Sequence, residues 1–130
     1  MSSMSTDAEK IVLIVEDDEV ILRALYLALH EEHFTIATAT DGESGLTMTQ
    51  RMKPDLVLLD LIMPKMDGFT YLKYLKADPK IAKTPVIVLS NLGDQESIQK
   101  AKDLGAADYF VKSDTDLSDL SKKVRKFLKQ

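Results

Sequence analysis

Two periodicities take turns along the chain. Short runs of β-branched residues and leucine recur, and each is followed by a stretch whose apolar positions return every three or four residues. The run Leu56 to Leu59 (Leu-Val-Leu-Leu) leads directly into Asp60 and the turn Leu61-Ile62-Met63-Pro64. A strand without polar interruption is apolar on both faces, which suits the centre of a parallel sheet covered by helices on both sides. Lys10 to Val15 is a second such run, and Pro85 to Leu89 is another. Phe34 to Ala39 and Tyr109 to Val111 read as short strands. Alternation along the last of these puts only one of Tyr109 and Phe110 on the core.

Between the strands the period becomes helical. From about Asp18 to Glu31, the residues Ile21, Leu25, Ala28 and Leu29 share one helix face, and acidic residues at its start complement the helix dipole. Asp41-Gly42 marks a turn, and Glu43 to Met52 a weaker helix, since Gly45 in its interior costs about 1 kcal/mol relative to Ala. Lys53-Pro54-Asp55 breaks it. Asp67-Gly68 opens a helix from Phe69 to Ala77, which Asp78-Pro79 stops. Gly93-Asp94 opens another through Leu104, with Ile98 and Ala101 inward and Gly105 as its C-terminal cap. Asp116 or Thr115 caps a last helix with Leu117, Leu120, Val124, Phe127 and Leu128 on one face. Strands alternating with helices predict an α/β fold of (βα)5 type. Its sheet is parallel, its crossovers are right-handed and helices cover both faces.

Composition narrows the function. A chain of 130 residues, 45% hydrophobic, suits one domain with one good core. Residues 10 to 129 make up that domain. Residues 1 to 9 are small and polar, lack the apolar core of a secretory signal, and read as a disordered lead. With no cysteine, the chain has no disulfide, thiolate zinc site or cysteine nucleophile. No apolar stretch approaches the roughly 18 residues of a membrane span, so a cytoplasmic protein without membrane contact is expected. The net charge of −4 argues against a dedicated nucleic-acid binder. From Lys112 onward six basic residues face three acidic ones, as the wet face of an amphipathic helix or a docking surface for an acidic partner. His30 and His33 sit at a helix end, where neither a metal nor a catalytic role is expected.

The chemistry gathers at the carboxyl ends of the predicted strands. Parallel α/β sheets bind ligands there. The first strand ends in Glu16 and Asp17, the third in Asp60, the fourth in Ser90 and the fifth in Lys112. One polar residue where a strand meets water is ordinary, but five together form a constellation. Three converging carboxylates repel, and either raised pKa values or a cation relieves the strain. Hard oxygen ligands without His or Cys suit Mg²⁺. A carboxylate can also act as a nucleophile and form an aspartyl-phosphate, whose transfer chemistry is mostly positioning and electrostatics. Asp60 is the natural nucleophile, Glu16 and Asp17 the metal holders, Lys112 the fixed positive charge and Ser90 a hydrogen-bond donor.

This constellation, together with Met63-Pro64, Asp67-Gly68 and Gly105-Ala106, resembles the receiver domain of two-component response regulators over roughly residues 9 to 129. The resemblance implies a flavodoxin-like sheet of order 2-1-3-4-5. It implies Asp60 as phosphoacceptor, with Asp17 a direct metal ligand and Glu16 acting through metal-bound water. The backbone carbonyl of Ile62 would complete the Mg²⁺ site. Ser90 stands at the switch hydroxyl, Lys112 at the phosphate-binding lysine, and Tyr109 at an aromatic that swings inward upon phosphorylation. A histidine kinase or phosphotransfer protein would supply the phosphoryl group. A downstream protein would read the surface of the fourth helix, fifth strand and fifth helix. Asp18 falls at a variable position of the family and receives no role.

Three departures stand out. Ser113 follows Lys112 where the family usually has a proline, often cis; a cis non-proline bond costs about 3 kcal/mol, so a trans loop is expected. Asn91 replaces a very small residue and narrows access to Asp60. Ile62 and Leu92, two positions after Asp60 and Ser90, flank the phosphoryl group in the family and tune its lifetime. Two bulky apolar side chains cannot orient an attacking water, so slow self-dephosphorylation is expected.

A non-enzymatic, stand-alone receiver is the first reading, because the last helix runs to the end of the sequence. A receiver belonging to a longer DNA-binding or catalytic regulator is the second. An aspartyl-phosphate hydrolase of the haloacid-dehalogenase type would want a second Asp where Ile62 stands. A flavodoxin-like FMN binder would want a phosphate loop where this chain has acids.

Overall fold

A computed structural model describes residues 10–30 and 34–129. The expected lead at residues 1–9, the first helix beyond His30, and His33 lie outside the described residues. The order of elements is β1 (Lys10–Val15), α1 (Glu19–Leu29), β2 (Phe34–Ala39), α2 (Gly42–Met52), β3 (Leu56–Leu59), α3 (Gly68–Ala77), β4 (Val86–Ser90), α4 (Gln95–Asp103), β5 (Asp108–Val111) and α5 (Leu117–Leu128). All strand pairs are parallel, and the sheet order is β2-β1-β3-β4-β5. The (βα)5 expectation and the order implied by the resemblance both hold.

The central strand shows why its sequence has no polar position. Val57 and Leu59 point into one core with Leu72 and Leu75 of α3 and Ala101 of α4. Leu56 and Leu58 point into a second core with Leu25 and Leu29 of α1 and Leu120 and Val124 of α5. Successive side chains leave opposite faces of a strand, so two covered faces demand an unbroken apolar run. Fully burying a side chain of this size is worth roughly 1.5–3 kcal/mol.

The same logic corrects the expectation for β5. Tyr109 packs against the first core and Phe110 against the second, so both rings are half-buried. Alternation holds, but each face of this strand has its own core to fill.

Each of the five helices is N-capped by an aspartate: Asp18, Asp41, Asp67, Asp94 and Asp116. Each carboxylate accepts a backbone N–H of the first turn that has no partner within the helix. Asp18 therefore acts locally, its Oδ1 accepting from Val20 N at 2.9 Å. Asp116, not Thr115, caps α5.

At the far end of α4, Gly105 takes a φ of +102°. Its N–H donates to the Lys102 carbonyl, and the Ala106 N–H to the Ala101 carbonyl. This is a Schellman termination, which glycine adopts without steric cost.

Gly45 explains the weak second helix. A Cβ there would lie 2.8 Å from Val15 Cγ1, so glycine is what lets α2 lie directly on β1.

Candidate functional site

Register carries the polar residues to one edge. Val15 is paired with Leu59, Leu59 with Val88, and Ser90 with Val111. The ladder runs one residue further: Glu16 N donates to Ala39 O at 2.9 Å and Asp60 N to Val15 O at 3.0 Å. Glu16 and Asp60 thus leave neighbouring strands side by side, and Lys112 leaves β5 one step beyond Ser90. Glu16, Asp60 and Ser90 are all buried, while Asp17 is exposed.

Lys112 ties the edge together. Its ammonium lies 2.8 Å from Glu16 Oε1 and 3.2 Å from Asp60 Oδ2. The second oxygen of Asp60 accepts the Leu61 N–H at 2.7 Å. Glu16 Oε2 accepts the Asp18 N–H at 3.1 Å. The two carboxylates are therefore held from both sides, and their remaining lone pairs face a cavity of about 380 Å³ bordered by Asp17, Ile62, Asn91 and Leu92.

Electrostatics follows from burial. The Glu16 carboxyl is raised from 4.5 to about 7, chiefly because burial disfavours its charge; the Lys112 ammonium and the Asp18 N–H oppose that rise. Lys112 is raised on balance, although burial, the largest single influence, lowers it. Glu16, with Asp60 beside it, outweighs the burial and holds the ammonium charged.

One oxygen from each of Glu16, Asp17 and Asp60 lies within 4.8 Å of the others. All are hard donors, with no nitrogen or sulfur among them. Such a set fits a hard, oxophilic divalent cation such as Mg²⁺ or Mn²⁺ and would suit a soft, thiolate-seeking metal poorly.

Ser90 Oγ accepts the Leu92 N–H at 3.3 Å and can donate its own hydroxyl proton, with the Tyr109 phenol within reach. Tyr109 reaches the same loop, its hydroxyl donating to Leu92 O at 2.5 Å. Burial raises the Tyr109 phenol, and the neighbouring Ser90 hydroxyl opposes this. The sequence places Ser90 and Tyr109 on separate strands; the structure ties both to the backbone of Leu92.

Every peptide bond among the described residues is trans, so Lys112–Ser113 is trans as expected. A single 3-10 turn, Lys112–Asp114, replaces the usual proline and still delivers the ammonium to both carboxylates. Ile62 is 61% exposed and lies at the rim of the cavity instead of filling it. His30 Nδ1 is 3.0 Å from Leu27 O, and its ring stacks on Tyr26, away from the acidic edge.

Two residues contribute to the site although the sequence pattern gives neither of them a role there. Asp18 contributes through its backbone N–H, and its place just before a helical period is the signal that marks it as a cap. Thr115 bonds the backbone beside Lys112, and nothing in the sequence pattern points to that bond.

Fold and carboxyl edge together define a module of the two-component signalling class. The family description "Response regulator receiver domain" matches residues 12–125, and the chain belongs to that family. It is 38% identical over 101 residues to the response regulator PleD of Caulobacter vibrioides, covering 78% of this chain and 22% of that protein. It is 34% identical over 119 residues to the DNA-binding dual master transcriptional regulator RpaA of Synechocystis, covering 92% of this chain and 49% of that one. The chain thus spans about half, or less, of the length of these curated relatives. A chain in the CheX-CheY-BeF3-Mg+2 complex from Borrelia burgdorferi superposes with a TM-score of 0.85 at 30% identity, covering 96% of this chain and 93% of that one. Among the described residues no helix is long and apolar enough to cross a membrane.

Proposed function

We propose that this receiver domain accepts a phosphoryl group on Asp60 from the phosphohistidine of a histidine kinase or phosphotransfer protein, and that the transfer switches a protein-binding surface. The observation that carries the reading is the Lys112 ammonium held between Glu16 and Asp60 at the mouth of an open cavity. An aspartate oxygen attacks phosphorus, the phosphorus–nitrogen bond of the donor breaks, and the imidazole leaves with the electron pair. Lys112 offers positive charge to the phosphoryl oxygens, and the Ser90 hydroxyl offers a hydrogen bond. Asp17, Glu16 through water, Asp60 and the Ile62 carbonyl would hold Mg²⁺, which supplies further positive charge against the phosphoryl oxygens when bound.

The switch follows from the loop that Ser90 and Tyr109 share. When Ser90 turns toward a phosphoryl oxygen, its bond to Leu92 N–H loosens, and the Tyr109 hydroxyl on Leu92 O shifts with it. Tyr109 lies on β5, so the change is read on the face built from α4, β5 and α5. The differential affinity comes from the phosphoryl group, since a ligand shifts an equilibrium only by its preference for one state. Ile62 at the cavity rim and Leu92 beside it offer no polar group to orient an attacking water, which lengthens the lifetime of the phosphoryl group. Output by direct protein contact without an enzymatic activity of its own, in a cytoplasmic setting, completes the reading. The alternative of a larger regulator is favoured by the curated relatives named above, both of which extend well beyond the matched segment. NMR with Mg²⁺ and beryllofluoride tests the switch. Shifts at Ser90 and Tyr109 that vanish in Asp60→Asn support it, and their absence in the unaltered chain refutes it.

A further inference from the structure

We infer that Thr115 is a positioning residue for Lys112, its hydroxyl fixing the trans turn from which the ammonium reaches the carboxylates. The effect on chemistry rests on the phosphoacceptor reading of Asp60 given above; the placement of Lys112 does not.

The turn Lys112–Asp114 begins at Val111 with no side-chain cap. It is closed from its other end. Thr115 Oγ1 donates to the Val111 carbonyl at 2.6 Å, and the Thr115 N–H donates to the Lys112 carbonyl at 3.3 Å. One residue therefore bonds the carbonyls on either side of the Lys112 α-carbon. The hydroxyl bond is the shorter by a wide margin and carries most of the restraint. Ser113 and Asp114 are exposed and add no burial to hold the turn.

The surroundings of the lysine stem make the restraint matter. A cavity of about 180 Å³ borders Lys112 and Thr115, walled by Ile21, Ala24, Leu89 and Leu117. The Lys112 side chain is only 12% exposed, and the cavity leaves it room to move on that side alone. Its position is set at the tip by Glu16 and Asp60 and at the base by the turn. Without the hydroxyl, the turn opens and the stem can lean into the cavity, drawing the ammonium from Asp60, its longer contact at 3.2 Å.

The test compares Thr115→Val, which keeps the shape and removes the hydroxyl, with Thr115→Ser, which keeps the hydroxyl. In the metal-free chain, the Lys112 ammonium ¹H–¹⁵N signal should shift and broaden in Thr115→Val and stay as in wild type in Thr115→Ser. With Mg²⁺ and acetyl phosphate, Thr115→Val should be phosphorylated about fivefold more slowly, the scale of one lost hydrogen bond, while Thr115→Ser keeps the wild-type rate. In a Lys112→Met background the same Thr115→Val change should have no effect. An ammonium signal unmoved in Thr115→Val overturns the inference, as does an equal slowing in the Lys112→Met background. If the unaltered chain takes up no phosphoryl group on Asp60, the phosphoacceptor reading fails, and the ammonium signal alone decides the placement of Lys112.

Discussion

Replacing Lys112 with methionine keeps most of the apolar stem and removes the charge. The ammonium lies 2.8 Å from Glu16 Oε1 and 3.2 Å from Asp60 Oδ2, and those carboxylate side chains are only 2% and 7% exposed. Removing one partner of a buried charge pair costs about 3–5 kcal/mol, because the other charge stays behind uncompensated. The cavity in front of this cluster is open and screens part of the repulsion. We therefore expect a loss of about 2–3 kcal/mol in metal-free buffer at pH 8.

The loss must depend on pH, and its sign is fixed by Glu16. That carboxyl is raised from 4.5 to about 7, so folding favours its protonated form. The stability it contributes by staying neutral is fully present below 4.5 and is lost as pH rises through about 7. Lys112 lowers the Glu16 value, so Lys112→Met raises it further and carries the window upward. The deficit relative to wild type is thus largest at pH 8 and shrinks toward pH 5, where Glu16 is neutral in both proteins. Urea unfolding at the two pH values, with EDTA, measures it through the midpoint at constant slope. Equal midpoints at pH 8, or the same deficit at both pH values, would refute the reasoning.

Two further changes probe separate parts of the account. Ile62→Asn puts an amide at the cavity rim where it can orient water, so the aspartyl-phosphate should decay several-fold faster; equal decay rates for the two proteins would remove the role of Ile62 in phosphoryl lifetime. Gly45→Ala should gain roughly 1 kcal/mol from helix propensity alone, yet its Cβ would lie 2.8 Å from Val15 Cγ1. We expect a net loss of about 1–3 kcal/mol in thermal or urea unfolding, and a more stable variant would show that α2 can lift off β1 cheaply.

Much of the fold is legible in the sequence because its causes are local. Leu56 to Leu59 is apolar at every position since both of its faces are covered, and that pattern alone marks a central parallel strand. The apolar faces of α1, α3, α4 and α5 can be read the same way. Sheet order cannot, because alternation says nothing about which strands are neighbours; it comes through the family resemblance. Gly45 reads as a weakness, since its reason is a contact with Val15, far back in the chain. Tyr109 and Phe110 are misjudged because a short strand does not announce that both of its faces have cores.

At the site, the polar residues ending the strands are visible as a set, but their pairing is not. Lys112 lies closer to Glu16 than to Asp60. The shared bond partner of Ser90 and Tyr109 is the backbone of Leu92, and backbone partners leave no trace in side-chain identity. Thr115 is hidden in the sequence for the same reason.

The central claim is that Asp60 takes the phosphoryl group. Incubation of the full chain with acetyl phosphate and Mg²⁺, followed by mass spectrometry of the intact protein and its peptides, addresses it directly. A single adduct mapping to Asp60, lost in Asp60→Asn and strongly reduced in Lys112→Met, is the predicted result. An adduct elsewhere, or one that persists in Asp60→Asn, would contradict the account.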